Sequence, residues 1–355
     1  MKTHHASQQA KVLFLIALVL VLVTACGGST SHNGGKSSGG ALRLGYFPNV
    51  THAPALVGIG EGYFQDELGS TTLVPQAFNA GPSAIEALNA DAIDATFVGP
   101  SPAINAFVRS GGQSIRIISG STSGGAQLVV RSGINSVADL TGSTLAVPQL
   151  GGTQDVALRA WLKKQNLSFA GRDANVAVTP IGNAQTFQLF QQGRLDGGWL
   201  PEPWSSRLVL DAGAHVLVDE ADLWLGGQFT TTVLIVRTDF LNVHPAVVTS
   251  LLRGLVRSMD AIAADPTRAK ATVNTQIAAD VGQQLSAAVI DRAFQHLHFS
   301  VDPTARTLQT QLDNAVAVGA TDSANLKGIC DLRLLNGVLR GNNVTPVSAN
   351  GLGEE

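Results

Sequence analysis

The sequence predicts an α/β protein of two hinged lobes, each a mixed, mostly parallel sheet flanked by helices. Three observations carry this reading. At 355 residues the chain exceeds the roughly 100–200 residues that one core usually serves. Short apolar runs alternate with helix-like segments in βαβαβ order, which implies crossover helices and parallel strands. After Gly124-Gly125 the alternation restarts, and two extended runs, residues 127–131 and 231–236, are suited to crossing between the halves.

The N-terminus comes first. Lys2 and Lys11 flank a polar lead, residues 12–23 are an unbroken apolar run, and Val23-Thr24-Ala25-Cys26 follows. The run is too short to cross a hydrocarbon layer of about 30 Å as a helix, which marks a signal segment and not a permanent span. Val-Thr-Ala-Cys resembles a bacterial lipobox. On that resemblance residues 1–25 are a lipoprotein signal peptide, and Cys26 carries a lipid that anchors an extracytoplasmic protein to the cell membrane. Only Cys330 is then free, which excludes an intrachain disulfide and a cysteine metal site. Residues 26–40 are rich in Gly and Ser, the composition of a flexible tether. A net charge of −3 gives no argument for nucleic acid or an anionic membrane surface as partner.

In the first half, residues 42–47 read as a strand, Thr51 to Pro54 as a helix start with proline in the first turn, and residues 71–78 as a second strand. Gly81-Pro82-Ser83 opens a helix. Residues 95–98 form a third strand ending in Gly99-Pro100-Ser101-Pro102, and residues 115–119 add another. In an open parallel sheet ligands lie beyond the carboxyl ends of the strands, where the loops at Thr51, Gly81 and Ser101 fall.

The second half begins with the extended run 126–131. Its most informative stretch is residues 144–161. Leu145-Ala146-Val147 is a buried-strand pattern, Pro148 ends it, Gly151-Gly152 allows a tight turn, and Thr153 caps a helix. The first N–H groups of that helix have no partner within it and point together, so this is either an anion site or an ordinary capped helix. Residues 176–179 form a strand, and 183–192 a helix with Phe187 and Phe190 on its apolar side. A short strand at 198–200 leads through Pro201-Glu202-Pro203-Trp204 into a helix at 205–210, and residues 215–218 are a further strand. Thr230-Thr231-Thr232 then introduces the return crossing at 233–236. Helices from residue 245 to about 339 close the chain, and residues 341–355 are expected to be disordered.

Several of these residues match a known pattern. Leu42-Arg43-Leu44-Gly45-Tyr46, Glu61-Gly62-Tyr63-Phe64, Phe78-Asn79-Ala80-Gly81-Pro82 with Glu86-Ala87-Leu88, Ile93-Asp94 before Gly99-Pro100-Ser101-Pro102, Val137-Ala138-Asp139-Leu140 with Gly142, and Glu202-Pro203-Trp204 together resemble the nitrate/sulfonate/taurine family of solute-binding proteins of ABC importers. The resemblance covers residues 42–252. It implies a type 2 periplasmic-binding fold that closes on a small ligand, without cofactor, and delivers it to a permease and ATPase complex. It also implies that residues 41–128 and 231–340 make lobe 1 and residues 129–230 lobe 2, in a protein expected to act as a monomer.

Carried over residue by residue, the family's pocket falls on Thr51, His52, Ser101, Thr122 and Ser123 in the first lobe, on Gly152, Thr153, Gln154, Asn183, Glu202 and Trp204 in the second, and on Thr231 at the return crossing. None of these is Lys or Arg, so an oxyanion would be held by dipoles and neutral donors. His52 is either a loop histidine or a ligand contact, and Trp204 either packs or walls the pocket. Glu202 either pairs with the ammonium group of a zwitterion such as taurine or is tied up as a helix cap. Ser83 and Thr153 could equally be N-caps alone. Catalysis finds no support, because His296 and His298 lie two apart with no zinc-ligand cluster, and the glycine pairs lack a phosphate-loop context. Two other readings stand beside the importer: the same fold receiving a pyrimidine or other neutral ring stacked on Trp204, and a ligand-sensing surface lipoprotein without a transporter.

Overall fold

The computed structural model describes residues 40–355 apart from Arg172. The signal peptide, Cys26 and the tether to residue 39 lie outside the described residues. The strands are β1 (Ala41–Tyr46), β2 (Thr72–Ala77), β3 (Ala95–Val98), β4 (Ile115–Gly124), β5 (Ala126–Val130), β6 (Thr144–Val147), β7 (Ala177–Pro180), β8 (Gly197–Pro201), β9 (His215–Asp219), β10 (Thr230–Arg237), β11 (Leu297–Phe299), β12 (Cys330–Asp331) and β13 (Gly353–Glu354). They form two sheets, one ordered β13-β12-β4-β10-β3-β1-β2 with β11 on β4, the other β7-β6-β8-β5-β9. All the strands read from the sequence are present. Two run longer than their apolar cores, β4 to Gly124 and β10 from Thr230 to Arg237.

The strand-helix repeats give parallel pairs, β1 with β2 and β3, and β6 with β7 and β8. The strands that follow the crossings enter from the other direction and pair antiparallel, β10 with β3 and β4, and β5 with β8 and β9. This explains the unbroken apolar run at β5. Leu128 and Val130 face the cluster of Leu145, Leu158, Trp161 and Trp199, while Val129 faces that of Ala146, Leu200, Phe190 and Leu208. A central strand buried on both faces has no solvent side on which to alternate polar residues. The larger core lies around the first sheet, where Leu44, Phe97 and Leu234 meet Leu251, Leu252 and Leu255 of the Pro245–Ala264 helix. With these cores residues 40–355 fall in one compact unit.

Two expectations are corrected. The first crossing was placed at residues 127–131, but Ala126 already pairs with Pro201 and Gln127 with Leu200, so residues 126–128 belong to the second sheet. The chain crosses at Gly124-Gly125, whose φ angles of 79° and 72° favour glycine, and a Cβ on Gly125 would lie 2.1 Å from the Leu297 side chain. The second correction is the C-terminus. Residues 341–355, expected to be disordered, return to the first sheet, where Gly353–Glu354 pairs in parallel with Cys330–Asp331. Asn336, 1% exposed, pins the segment by donating to Val347 O at 3.0 Å and accepting from Val347 N at 2.9 Å. Polar composition hid this, because the segment is held by backbone pairing and a buried amide and not by an apolar stripe.

Replacing Asn336 by Ala leaves the Val347 backbone groups without their partner, and a loss of about 1–3 kcal/mol is expected in urea unfolding. Limited proteolysis of the variant should cut first within residues 342–352. Unchanged stability and an uncut tail would contradict this account.

Candidate functional site

Between the sheets lies a cleft of about 440 Å³, part of it open to solvent. Helix starts surround it. Ala80 and Gly81 open the Gly81–Asn89 helix, Gly99 opens Pro100–Arg109, Gly152 and Thr153 open Thr153–Lys164, Asn183 opens Asn183–Gln191, and Thr51 and His52 precede Ala53–Gly60. None of these five helices has a side chain capping its first turn. The positive ends of their dipoles therefore meet in one space, the arrangement that receives an anion, with free N–H groups at four of the starts; in Ala53–Gly60 the first N–H turns back to Val50 O, and those of Thr51 and His52 go to Glu202 O and Asn49 O. Among the described residues that line the cleft there is no Asp, Glu, Lys or Arg.

Two polar atoms at this site are buried and have no hydrogen-bond partner, Thr153 Oγ1 and Asn183 Oδ1. Thr153 is the first helical residue and Gly152 the N-cap, so the threonine is not the cap the sequence suggested. Its hydroxyl is left to donate outward. Asn183 offers an amide whose O and N ends exchange by a flip, so it too can present a donor. His52 is buried and burial lowers its pKa to about 3, so the ring is neutral. Its Nδ1 accepts from Phe47 N at 3.3 Å, which puts the ring hydrogen on Nε2 as another neutral donor. The halves touch across the cleft. Gln149 and Ser83 exchange hydrogen bonds of 3.2 and 3.3 Å, and a Cβ on Gly99 would come within 2.2 Å of Thr153 Oγ1, so glycine is what permits that approach.

Of the residues picked from the sequence, Thr51, His52, Gly152, Thr153, Gln154, Asn183 and Thr231 line this cleft together. The other five do not. Ser101 lines a neighbouring cavity; Thr122 donates to Thr51 O at 2.7 Å, and Ser123 Oγ accepts from Phe229 N at 3.2 Å, so both serve the backbone. Trp204 is an orienting residue: its Nε1 donates to Asn49 Oδ1 at 2.9 Å, and the Arg207 guanidinium lies 4.8 Å from the centre of its ring. Glu202 is 0% exposed, with Oε2 accepting from Ser206 N at 3.2 Å and Oε1 bound to Arg292 Nη1 at 3.1 Å. Burial pushes its pKa up, while the Ser206 and Ser205 bonds and the Arg292 charge pull the other way. The carboxylate is thus consumed as a helix-start acceptor and buried ion pair. Asn79, Gln149 and Asn49 line the cleft and were missed, although each stands just after a predicted strand and before a glycine turn or helix start.

A second buried carboxyl stands nearby. Glu220 Oε2 accepts from Trp199 Nε1 at 2.7 Å, and burial raises its pKa from 4.5 to about 7. The folded chain therefore holds a proton that the unfolded chain loses, so this group's contribution to stability falls as pH rises from about 4.5 through about 7. Unfolding measured from pH 4 to 8 should show the native chain losing up to about 3 kcal/mol relative to Glu220→Gln across that window. A constant difference between the two proteins would overturn the assignment.

Comparison with known proteins agrees with this geometry. Over 213 residues the chain is 26% identical to the taurine-binding periplasmic protein of Escherichia coli (strain K12), a match covering 60% of this chain and 64%, under two thirds, of that protein. The alkanesulfonate-binding protein SsuA from Xanthomonas axonopodis pv. citri, solved bound to MOPS, superposes with a TM-score of 0.65 at 23% identity, over 80% of this chain and 94% of that one. The periplasmic nitrate-binding protein NrtA from Synechocystis PCC 6803 gives 0.66 at 16% identity, over 81% and 83%. At such identities the two structures show a shared fold, the two-lobe type 2 periplasmic-binding architecture. Residues 35–278 match the NMT1-like family, and the chain belongs to it.

Proposed function

We propose that this chain is the extracytoplasmic solute-binding component of an ABC importer, and that it captures a small oxyanion of the sulfonate class by closure of its two lobes. The observation that carries the reading is the convergence of five uncapped helix starts on a cleft whose described lining residues carry no formal charge. Such a cradle fits a group with three outward oxygens, each taking N–H or O–H donors from a different direction. The taurine- and alkanesulfonate-binding relatives support the class, and the nitrate-binding neighbour supports an oxyanion more broadly. Closure rotates the lobes about Gly124-Gly125 and residues 228–229, and the Ser83–Gln149 bonds lock them. The chain acts as a receptor and not as a catalyst, as a monomer anchored through a lipid on Cys26, and it hands its ligand to a permease and ATPase complex.

With Glu202 off the lining and bound to Arg292, and no acid among the described lining residues, the cleft has no partner for an ammonium group. This favours a plain sulfonate over a zwitterion. Trp204 is occupied by Asn49 and Arg207, which counts against the reading in which a neutral ring stacks on it.

Titration calorimetry should show ethanesulfonate binding at least as tightly as taurine. Thr153→Val should weaken ethanesulfonate by about tenfold, the worth of one donor to a charged group, with little change in melting temperature. Because His52 is already neutral, affinity of a Glu220→Gln protein, which lacks the other group titrating in this range, should stay within about twofold from pH 6 to 8. No heat with sulfonates, nitrate or sulfate would sink the oxyanion reading.

A further inference from the structure

Thr153 also borders a second cavity, of about 790 Å³ including solvent at its mouth. One side is a single face of the Thr153–Lys164 helix, presenting Val156, Ala157, Ala160 and Trp161 at spacings of three and four. The facing wall comes from Glu220, Leu223 and Trp224 of the same half and from Gln311 of the Leu308–Ala317 helix, which belongs to the other core. The cavity therefore lies between the lobes, shares Thr153 with the anion cradle, and runs along the helix that this residue opens. Ser101, chosen from the sequence as a contact, lines this space.

An apolar gap alone would be a packing defect. Two observations point instead to an occupant. Thr153 Oγ1 and Gln311 Oε1, both on the lining, are buried and unpaired, and Gln311 Nε2 already donates to Thr230 O at 3.1 Å, so the amide is oriented and its oxygen still lacks a donor. Aromatic side chains then stand on two sides, Trp161 on the helix, 6% exposed and 6.0 Å from the Trp199 ring, and Trp224 on the loop, with one face stacked on Phe229 at 5.7 Å. The ring surface they leave toward the cavity suits offset or edge-on contact with another ring.

We propose that this cavity receives the organic tail of the bound oxyanion, and that the tail is an aromatic ring lying between Trp161 and Trp224 with a hydrogen-bond donor within reach of Gln311 Oε1. The proposal rests on the oxyanion reading and narrows it to aryl sulfonates. Glu220, protonated below about pH 7, lies on this lining, and the exposed Lys164 stands at the rim.

Calorimetry on the unit Ser38–Glu355 with ethanesulfonate, benzenesulfonate and 2-naphthalenesulfonate separates the two claims. The aryl ligands should bind about tenfold or more tightly than ethanesulfonate, since filling an apolar pocket discriminates on this scale. Ala157→Phe, which fills the cavity away from the helix start, should abolish that advantage while leaving ethanesulfonate within about twofold. The native chain's tryptophan emission should change with the aryl ligands and not with ethanesulfonate, and Trp224→Phe should reduce the change. Equal affinity for ethanesulfonate and benzenesulfonate in the native chain would overturn the tail subsite and leave the oxyanion reading standing. Failure of all three to bind would overturn both.

Discussion

A parallel strand followed by a crossover helix can begin that helix at one edge of its sheet only, and this constraint shapes the protein. In the first sheet β1, β2 and β3 release their helices toward one edge; in the second β6 and β7 do the same. Two crossings turn these edges toward each other. The result is five helix starts around one cleft, each with N–H groups that no side chain caps. The gathering of positive helix ends follows from topology, and the unpaired Thr153 Oγ1 and Asn183 Oδ1 lie among them.

Closing two lobes requires that groups between them be satisfied, and the rear of the cleft shows how. Arg292, on the Ala287–Gln295 helix after the return crossing, donates to Glu202 Oε1 at 3.1 Å, Ser206 Oγ at 2.8 Å and Gln127 Oε1 at 3.0 Å. Gln127 in turn donates to Asp219 Oδ2 at 2.7 Å. Desolvating such a pair costs much of what its attraction returns, so its value is specificity of docking more than stability. Every partner is in the second half while Arg292 belongs to the first, which makes the cluster a fixed seat beside the Gly124-Gly125 crossing. The same bonds remove Glu202 from the ligand's reach and keep the cleft free of negative charge.

Much of the fold was legible in the sequence because it rests on local signals. Alternating apolar runs placed the strands, Gly and Pro placed the turns, and the restart after Gly124-Gly125 announced a second lobe. Thr51, Gly152, Thr153 and Asn183, named through the family resemblance, stand beside helix starts and line the cleft. The short strands β11, β12 and β13 carried no such signal. Their pairing partners are remote in sequence, and the C-terminal segment is held by Asn336 rather than by a stripe of apolar residues.

Where the sequence leaves two roles open, the deciding fact is a partner far along the chain. Nothing near Glu202 shows that Arg292, ninety residues later, will bind it. Nothing near Trp204 shows that Asn49 will take its indole N–H, or that the Thr122 hydroxyl will turn to Thr51 O. Nor does local pattern reveal that Trp161, Trp224 and Gln311 surround one cavity, since it forms only when helices from both halves meet. The sequence by itself determined where strands end, helices begin and free N–H groups gather, because those depend on neighbours a few residues away. Only the tertiary structure decided which polar side chains are already satisfied and which remain open to a ligand, because hydrogen bonding is settled by what the fold brings into contact.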